Sequence, residues 1–177
     1  MPRCLLLILA TCALPAEARA HFLFIHIGPP AEGGRAAEVF FSEYADAGDP
    51  KFIGKVAATQ LWLQTTPGEF QPLRTHQGPD RLRALVPPSG TMAVHGSLQY
   101  GVLARPKQTA FLLKHYPKAV AGSPDEVNRL KPYAKVPLEI TATFESSGIT
   151  FTALREGKPL PKVGSTDASG KRRMRLR

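Results

Sequence analysis

Nine β-prone runs of five to seven residues, each stopped by Pro, Gly or a polar turn, constrain this chain more than any other feature. The first, His21 to Ile27, ends at Gly28, Pro29 and Pro30, where proline fixes φ and removes a ladder donor. Ala37 to Glu43 is the second. Gln60 to Thr65 alternates, with Leu61 and Leu63 on one face and Trp62 on the other, before a turn at Thr66, Pro67 and Gly68. Trp62 reads as a packing residue. Arg81 to Val86, Thr91 to Gly96, Gln99 to Leu103 and Ala110 to Tyr116 follow, then Leu138 to Phe144 and Ile149 to Leu154. Spacing of this kind points to a mainly β, antiparallel Ig-like β-sandwich rather than alternating βαβ units. No tandem repeat of fixed period interrupts it.

One short helix is expected. Ser123 can cap it, Pro124 suits its first turn, and Glu126 sits three residues after the cap, which sets about two turns ending near Leu130. After Lys131 and Pro132 a second block of strands begins, so the expected division is 1–20, 21–132 and 133–177.

Residues 1–20 read as a secretory signal peptide. Arg3 precedes an apolar run through Leu14, and Ala18, Arg19 and Ala20 form a small-x-small cleavage site; the run is too short to span a bilayer as a helix. A lipoprotein start at Cys12 competes, but Thr11 is a poor residue before an acylated cysteine. Cleavage after Ala20 removes Cys4 and Cys12, the only cysteines. The exported chain then has no disulfide, thiolate ligand or thiol nucleophile, and its stability rests on apolar burial. Lys plus Arg falls from 23 to 21 and Asp plus Glu from 14 to 13, which leaves a net charge of +8. Five of those charges lie in the last seven residues, Lys171 to Arg177. That tail reads as a solvated basic end, because no nucleic-acid motif or aromatic interleaving accompanies it.

Cleavage would make His21 the first residue. Its α-amine and its imidazole Nδ1 can then close a chelate on one metal ion, an arrangement called a histidine brace, which avoids part of the entropy of ordering separate ligands. The competing reading is that some residue must follow any cleavage site. Further ligands have to come from elsewhere in the chain. His26 is five residues on, about 16 Å along a straight strand and on the opposite face, so it cannot close a site with His21. His95, in an apolar strand before Gly96, and His115, beside Tyr116, are candidate partners; each reads equally as a packed strand histidine. His76 reads as loop surface. Glu43 ends the second strand and is a candidate oxygen ligand, with a solvated strand end as the plainer role. No carboxylate pair has catalytic spacing, and GxSxG, P-loop, HExxH and GxGxxG are all absent.

The start at His21-Phe-Leu-Phe, the strand end Phe41-Ser-Glu43, Tyr100-Gly-Val-Leu-Ala-Arg105 and Phe111-Leu-Leu-Lys-His-Tyr-Pro-Lys-Ala119 together resemble the exported bacterial domain family of unknown function termed the nickel-uptake substrate-specific region. The likeness covers residues 21–120 well and 138–170 in part. Gly157 to Pro161 followed by Thr166 to Gly170 is similar to the opening strand, turn and TDxxG hairpin of a carboxypeptidase regulatory-like sandwich, with too few strands around them to close one. The resemblance therefore implies an incomplete second β-sandwich, an interrupted version of a longer protein. It also implies a periplasmic or envelope location, a part in nickel or cobalt handling, and a site anchored on His21 with Glu43, His95 and His115 as candidate ligands.

The expectation is an exported, non-enzymatic metal-binding or metal-delivery protein. Its cofactor would be a divalent transition metal, nickel or cobalt by resemblance and copper by raw affinity for nitrogen donors. Its partner would be a membrane metal transporter or other envelope protein, with no nucleic acid and no transmembrane helix after the signal. Two rivals stand beside it: a structural or interaction β-sandwich of the envelope without metal, and a copper histidine-brace oxidative enzyme.

Overall fold

A computed structural model describes residues 21–104, 106–133, 136–146 and 148–161. The expected signal peptide at 1–20, the Thr166 to Gly170 segment and the basic tail lie outside the described residues. The chain is mainly β and antiparallel throughout. One sheet runs in the order β1 (Phe22–Ile27), β2 (Arg35–Ser42), β6 (Leu82–Val86) and β5 (His76–Gln77). A second runs β4 (Gln71–Leu73), β3 (Gln60–Gln64), β7 (Met92–Leu103) and β8 (Phe111–His115), with β9 (Lys118–Ala121) on the first half of β7. The third is β10 (Leu138–Glu145), β11 (Gly148–Arg155) and β12 (Lys158–Pro159).

The first two sheets form a sandwich because their alternating apolar residues meet. Ala37, Val39 and Phe41 of β2 and Leu82, Ala84 and Val86 of β6 share one core with Leu61 and Leu63 of β3 and Met92, Val94 and Leu98 of β7. Ile53 and Val56 of helix α1 (Ile53–Val56) join that core. Val39, Val56, Met92 and Val94 are fully buried, each contributing about 1.5–3 kcal/mol. Phe40 points to the other face of β2, yet it too is buried, under the Arg81 guanidinium 4.9 Å from its ring.

Two expected runs, Thr91 to Gly96 and Gln99 to Leu103, are one continuous strand. Gly96 allows this: a Cβ there would stand 2.7 Å from Pro117 Cγ, and its N–H donates to Pro117 O at 2.8 Å where β8 gives way to β9. Register slips between Gln99 and Gly101, a bulge at which Gly101 takes φ of 143°. The expected helix is α2 (Pro124–Val127), with hydrogen bonds continuing to Leu130 N. Its cap differs in detail: Ser123 Oγ donates to Glu126 Oε2 at 2.6 Å, and Thr91 Oγ1 donates to the same oxygen at 2.5 Å. These bonds hold the Glu126 carboxyl below its usual range. The short strands β4, β5 and β9 had no sequence signal, because pairing rather than periodicity defines them, and the single turn of α1 is too short to show a helical period.

The outer edge of β10 is closed by a side chain. Asn128 Nδ2 donates to Phe144 O at 2.9 Å, and Phe144 N–H donates to Asn128 Oδ1 at 2.8 Å. One amide thus replaces a neighbouring strand and ties the third sheet to the end of α2.

Candidate functional site

Register brings the N-terminal candidates to one end of the sandwich. Phe22 pairs with Ser42 and Leu23 with Phe41, so His21 and Glu43 each lie one residue past the last pair of this ladder, at the end where Leu23 and Phe41 face the core. The His21 ring lies 5.5 Å from the ring of Phe41 and 4.7 Å, edge on, from that of Phe52. His115 reaches the same phenylalanine from the second sheet, with its ring 5.8 Å from Phe41 and 5.8 Å from Tyr100. Tyr100 in turn stacks on Phe41 at 5.3 Å. Phe41 is therefore the hub that both His21 and His115 contact, with Glu43 two residues further along the chain, just past the end of β2.

The chemistry of the two imidazoles differs. His115 Nε2 is buried without a hydrogen-bond partner among the described residues. Burial also pushes the His115 pKa down, so the ring is held neutral, the form in which imidazole binds a metal. Beside His21, the 3-10 turn Pro50–Phe52 carries Lys51 and Lys55 follows in α1; their ammonium groups lie 4.8 Å and 5.1 Å from the Phe52 ring. Asp49 caps this turn and pairs with Lys51, which holds its carboxyl below the ordinary value, with a smaller contribution from His21. Ser42 Oγ donates to the carbonyls of Tyr44 and Asp46, which folds the residues after Glu43 back over the strand end. Among the described residues, no three His, Cys, Asp or Glu side chains converge closely enough to hold a metal ion.

His95 does not join this group. It alternates with the core-facing Val94 and so projects from the other face of β7, where it is 1% exposed. Lys131, Tyr133 and Glu139 lie against that face. Gln64 Nε2 donates to Lys131 O at 3.1 Å, which turns its Oε1 toward His95 Nε2 at 3.2 Å. The acceptor there requires His95 to donate from Nε2, leaving Nδ1 unprotonated. Nδ1 stands 3.8 Å from Glu139 Oε1, but that carboxylate is already engaged by Lys118 Nζ at 2.6 Å and by Tyr133 N–H at 2.7 Å. Burial, and then repulsion from Lys118, pushes the His95 pKa down to about 3. The rings of Phe70 and Tyr133 flank it at 5.5 Å and 5.1 Å. Tyr133 also packs against Trp62 at 5.3 Å, and its buried hydroxyl lacks a partner among the described residues. His95 is a packed histidine in the seam between the sandwich and the third sheet.

The remaining histidines lie outward. His26 is exposed, with Nδ1 4.0 Å from Glu38, and His76 is exposed on β5. Sequence reading missed Phe41, Phe52 and Tyr100 as the frame of the N-terminal cluster, and Glu139, Lys118 and Gln64 as the partners of His95. The only available signal was register: the β7–β8 hairpin places Leu98 against His115, close to Tyr100, but its bulge is invisible in the residue pattern. Compared with family models, curated proteins and solved structures, the chain matches none.

Proposed function

We propose that this is an exported, non-enzymatic metal-binding or metal-delivery protein whose anchor ligand is His21, freed by signal cleavage. The observation that carries the reading is the convergence of His21 and His115 on Phe41, with His115 Nε2 buried, neutral and lacking a partner among the described residues. The α-amine and imidazole of His21 and the imidazole of His115 would make a three-nitrogen donor set suited to nickel, cobalt or copper. Glu43, one residue past the end of β2, is the candidate for the oxygen side, and its side chain would have to move to close on the two imidazoles, since no three such side chains converge among the described residues. His95, on the far face of β7, has no part in it. The periplasm or cell envelope is the matching location, and a membrane transporter or other envelope protein the matching recipient.

Calorimetric titration with Ni²⁺ and Cu²⁺ tests this on three chains: one beginning at His21, one with a single additional residue before His21, and His115→Ala. Affinity should drop by at least about tenfold in each altered chain, the loss expected for one ligand group. Equal affinity in all three defeats the proposal. A mature N-terminus elsewhere, read by mass spectrometry, defeats the brace in particular.

A second reading has its own support. His21 lies edge-on to Phe52, and His115 lies edge-on to both Phe41 and Tyr100, the packing geometry of an aromatic cluster. In that case the protein is a structural or interaction sandwich of the envelope, and the histidines are packing groups.

A further inference from the structure

The far half of the β7–β8 hairpin is apolar on both faces. Val102 pairs with Leu112, and the next pair along, Leu103 with Phe111, projects to the opposite side. Val102 is 69% exposed, Leu112 44% and Phe111 42%. A hairpin in water ordinarily keeps one face polar, so apolar pairs left uncovered on both faces mark a surface made for another environment. Its charge names that environment. From Met92 to His115 the hairpin sequence holds no carboxylate but carries Arg105, Lys107 and Lys114, whereas Arg81 and Arg83 before it pair with Glu38 and Asp80. Lys107 lies exposed in the hairpin turn at φ of 63°, and Lys114 is exposed two residues after Leu112, on the same face. Among the described residues, neither Lys107 nor Lys114 has an acidic neighbour in the hairpin.

We infer that this hairpin docks on an anionic lipid surface, with Val102 and Leu112 entering the headgroup boundary and Lys107 and Lys114 reaching the phosphates. Aliphatic side chains flanked by flexible cations are the combination that interfacial segments use: the stems share the apolar layer while the ammonium groups stay at the headgroups. Val102 and Leu112 have no π face on which to stack bases, which disfavours a nucleic acid. Lys118 takes no part, since Glu139 neutralises it. The inference is independent of the metal reading, because it concerns the distal half of β7 and β8 rather than the Phe41 cluster.

Vesicle flotation tests it with the chain from His21 onward, which contains every described strand and omits the apolar segment that would itself partition into lipid. The probes are vesicles of phosphatidylcholine alone and vesicles with one third phosphatidylglycerol. The native hairpin should bind the anionic vesicles and not the neutral ones. Lys107→Gln with Lys114→Gln should weaken binding by about fivefold per lysine, and Val102→Ser with Leu112→Ser by at least about tenfold. All these side chains are exposed, and circular dichroism melting verifies that the variants fold. Because every chain shares the tail at 171–177, equal binding by native and variant proteins assigns adhesion to the tail and overturns the inference. Absence of binding to anionic vesicles overturns it as well. So does a native dimer that becomes monomeric in Val102→Ser with Leu112→Ser without vesicle binding, which makes the hairpin a protein interface. As a direct readout, Leu112→Cys gives a single thiol in residues 21–177. A polarity-sensitive dye on it should shift to the blue on anionic vesicles only, and an unchanged spectrum there also overturns the inference.

Discussion

Replacing Lys118 by Met should weaken the acid sensitivity of the seam between the sandwich and the third sheet. Lys118 Nζ lies 2.6 Å from Glu139 Oε1, with side chains 16% and 5% exposed, and His95 Nδ1 stands 3.8 Å from the same oxygen. Removing the lysine leaves a buried carboxylate uncompensated, at a cost of about 3–5 kcal/mol. The nearest group able to neutralise it is His95. In the native protein His95 stays unprotonated down to about 3, held there by burial and then by Lys118, against an unfolded value of 6.5. Between those values the unfolded chain binds more protons than the folded one, so native stability falls on acidification, by up to about 1.4 kcal/mol per pH unit from this group. In Lys118→Met the repulsion is gone and Glu139 becomes the histidine's partner. The folded His95 pKa then rises from about 3 toward its unfolded value, held back by the burial that remains, so the stability lost on acidification is smaller than in the native protein. The variant's deficit should therefore be about 3–5 kcal/mol near pH 8 and should shrink by about 1–2 kcal/mol near pH 5.5.

Urea unfolding followed through Trp62, the one tryptophan of the chain and a neighbour of Tyr133 in this seam, measures both proteins at each pH. Subtracting the two curves cancels His115 and the carboxylates they share. A deficit that stays constant or grows on acidification refutes the coupling between Lys118, Glu139 and His95.

Two further outcomes rest on backbone and packing. Gly96→Ala should lower stability by about 1–3 kcal/mol, because the added methyl would meet Pro117 Cγ at 2.7 Å at the point where β8 passes into β9; a variant melting like the native protein removes this close approach as a constraint. Asn128→Ala should cost about 1–2 kcal/mol through two lost hydrogen bonds to Phe144, and hydrogen exchange should speed up first at the Phe144 amide; unchanged protection there would show that the β10 edge is held by other contacts.

Alternation and turn residues were enough to read nine runs, which form eight strands because two of them are joined in β7, and a mainly antiparallel β fold, since a strand buried on one face must repeat every second residue. They also made the helix at Ser123 legible, because its cap is local. Short edge strands such as β5 and β9 were not legible, for their only definition is hydrogen bonding to β6 and β7. The same limit applied to the histidines. His21, His95 and His115 looked alike as residues in or beside apolar runs, and resemblance grouped all three with Glu43. Which face of β7 a histidine occupies follows from parity within the strand, but which faces are covered, and by what, depends on how Tyr133 and the third sheet pack.

Residue order alone thus determined the longer strands, the cysteine-free and basic character of the chain after residue 20, and the acid-free stretch from Arg81 to Pro124. Tertiary structure alone decided that His21 and His115 meet on Phe41 while His95 is sealed with Gln64 and Glu139 on the opposite face. The physical reason is that periodicity fixes a side chain's direction relative to its own strand, whereas its neighbours come from register and sheet packing between residues as far apart as His21 and His115.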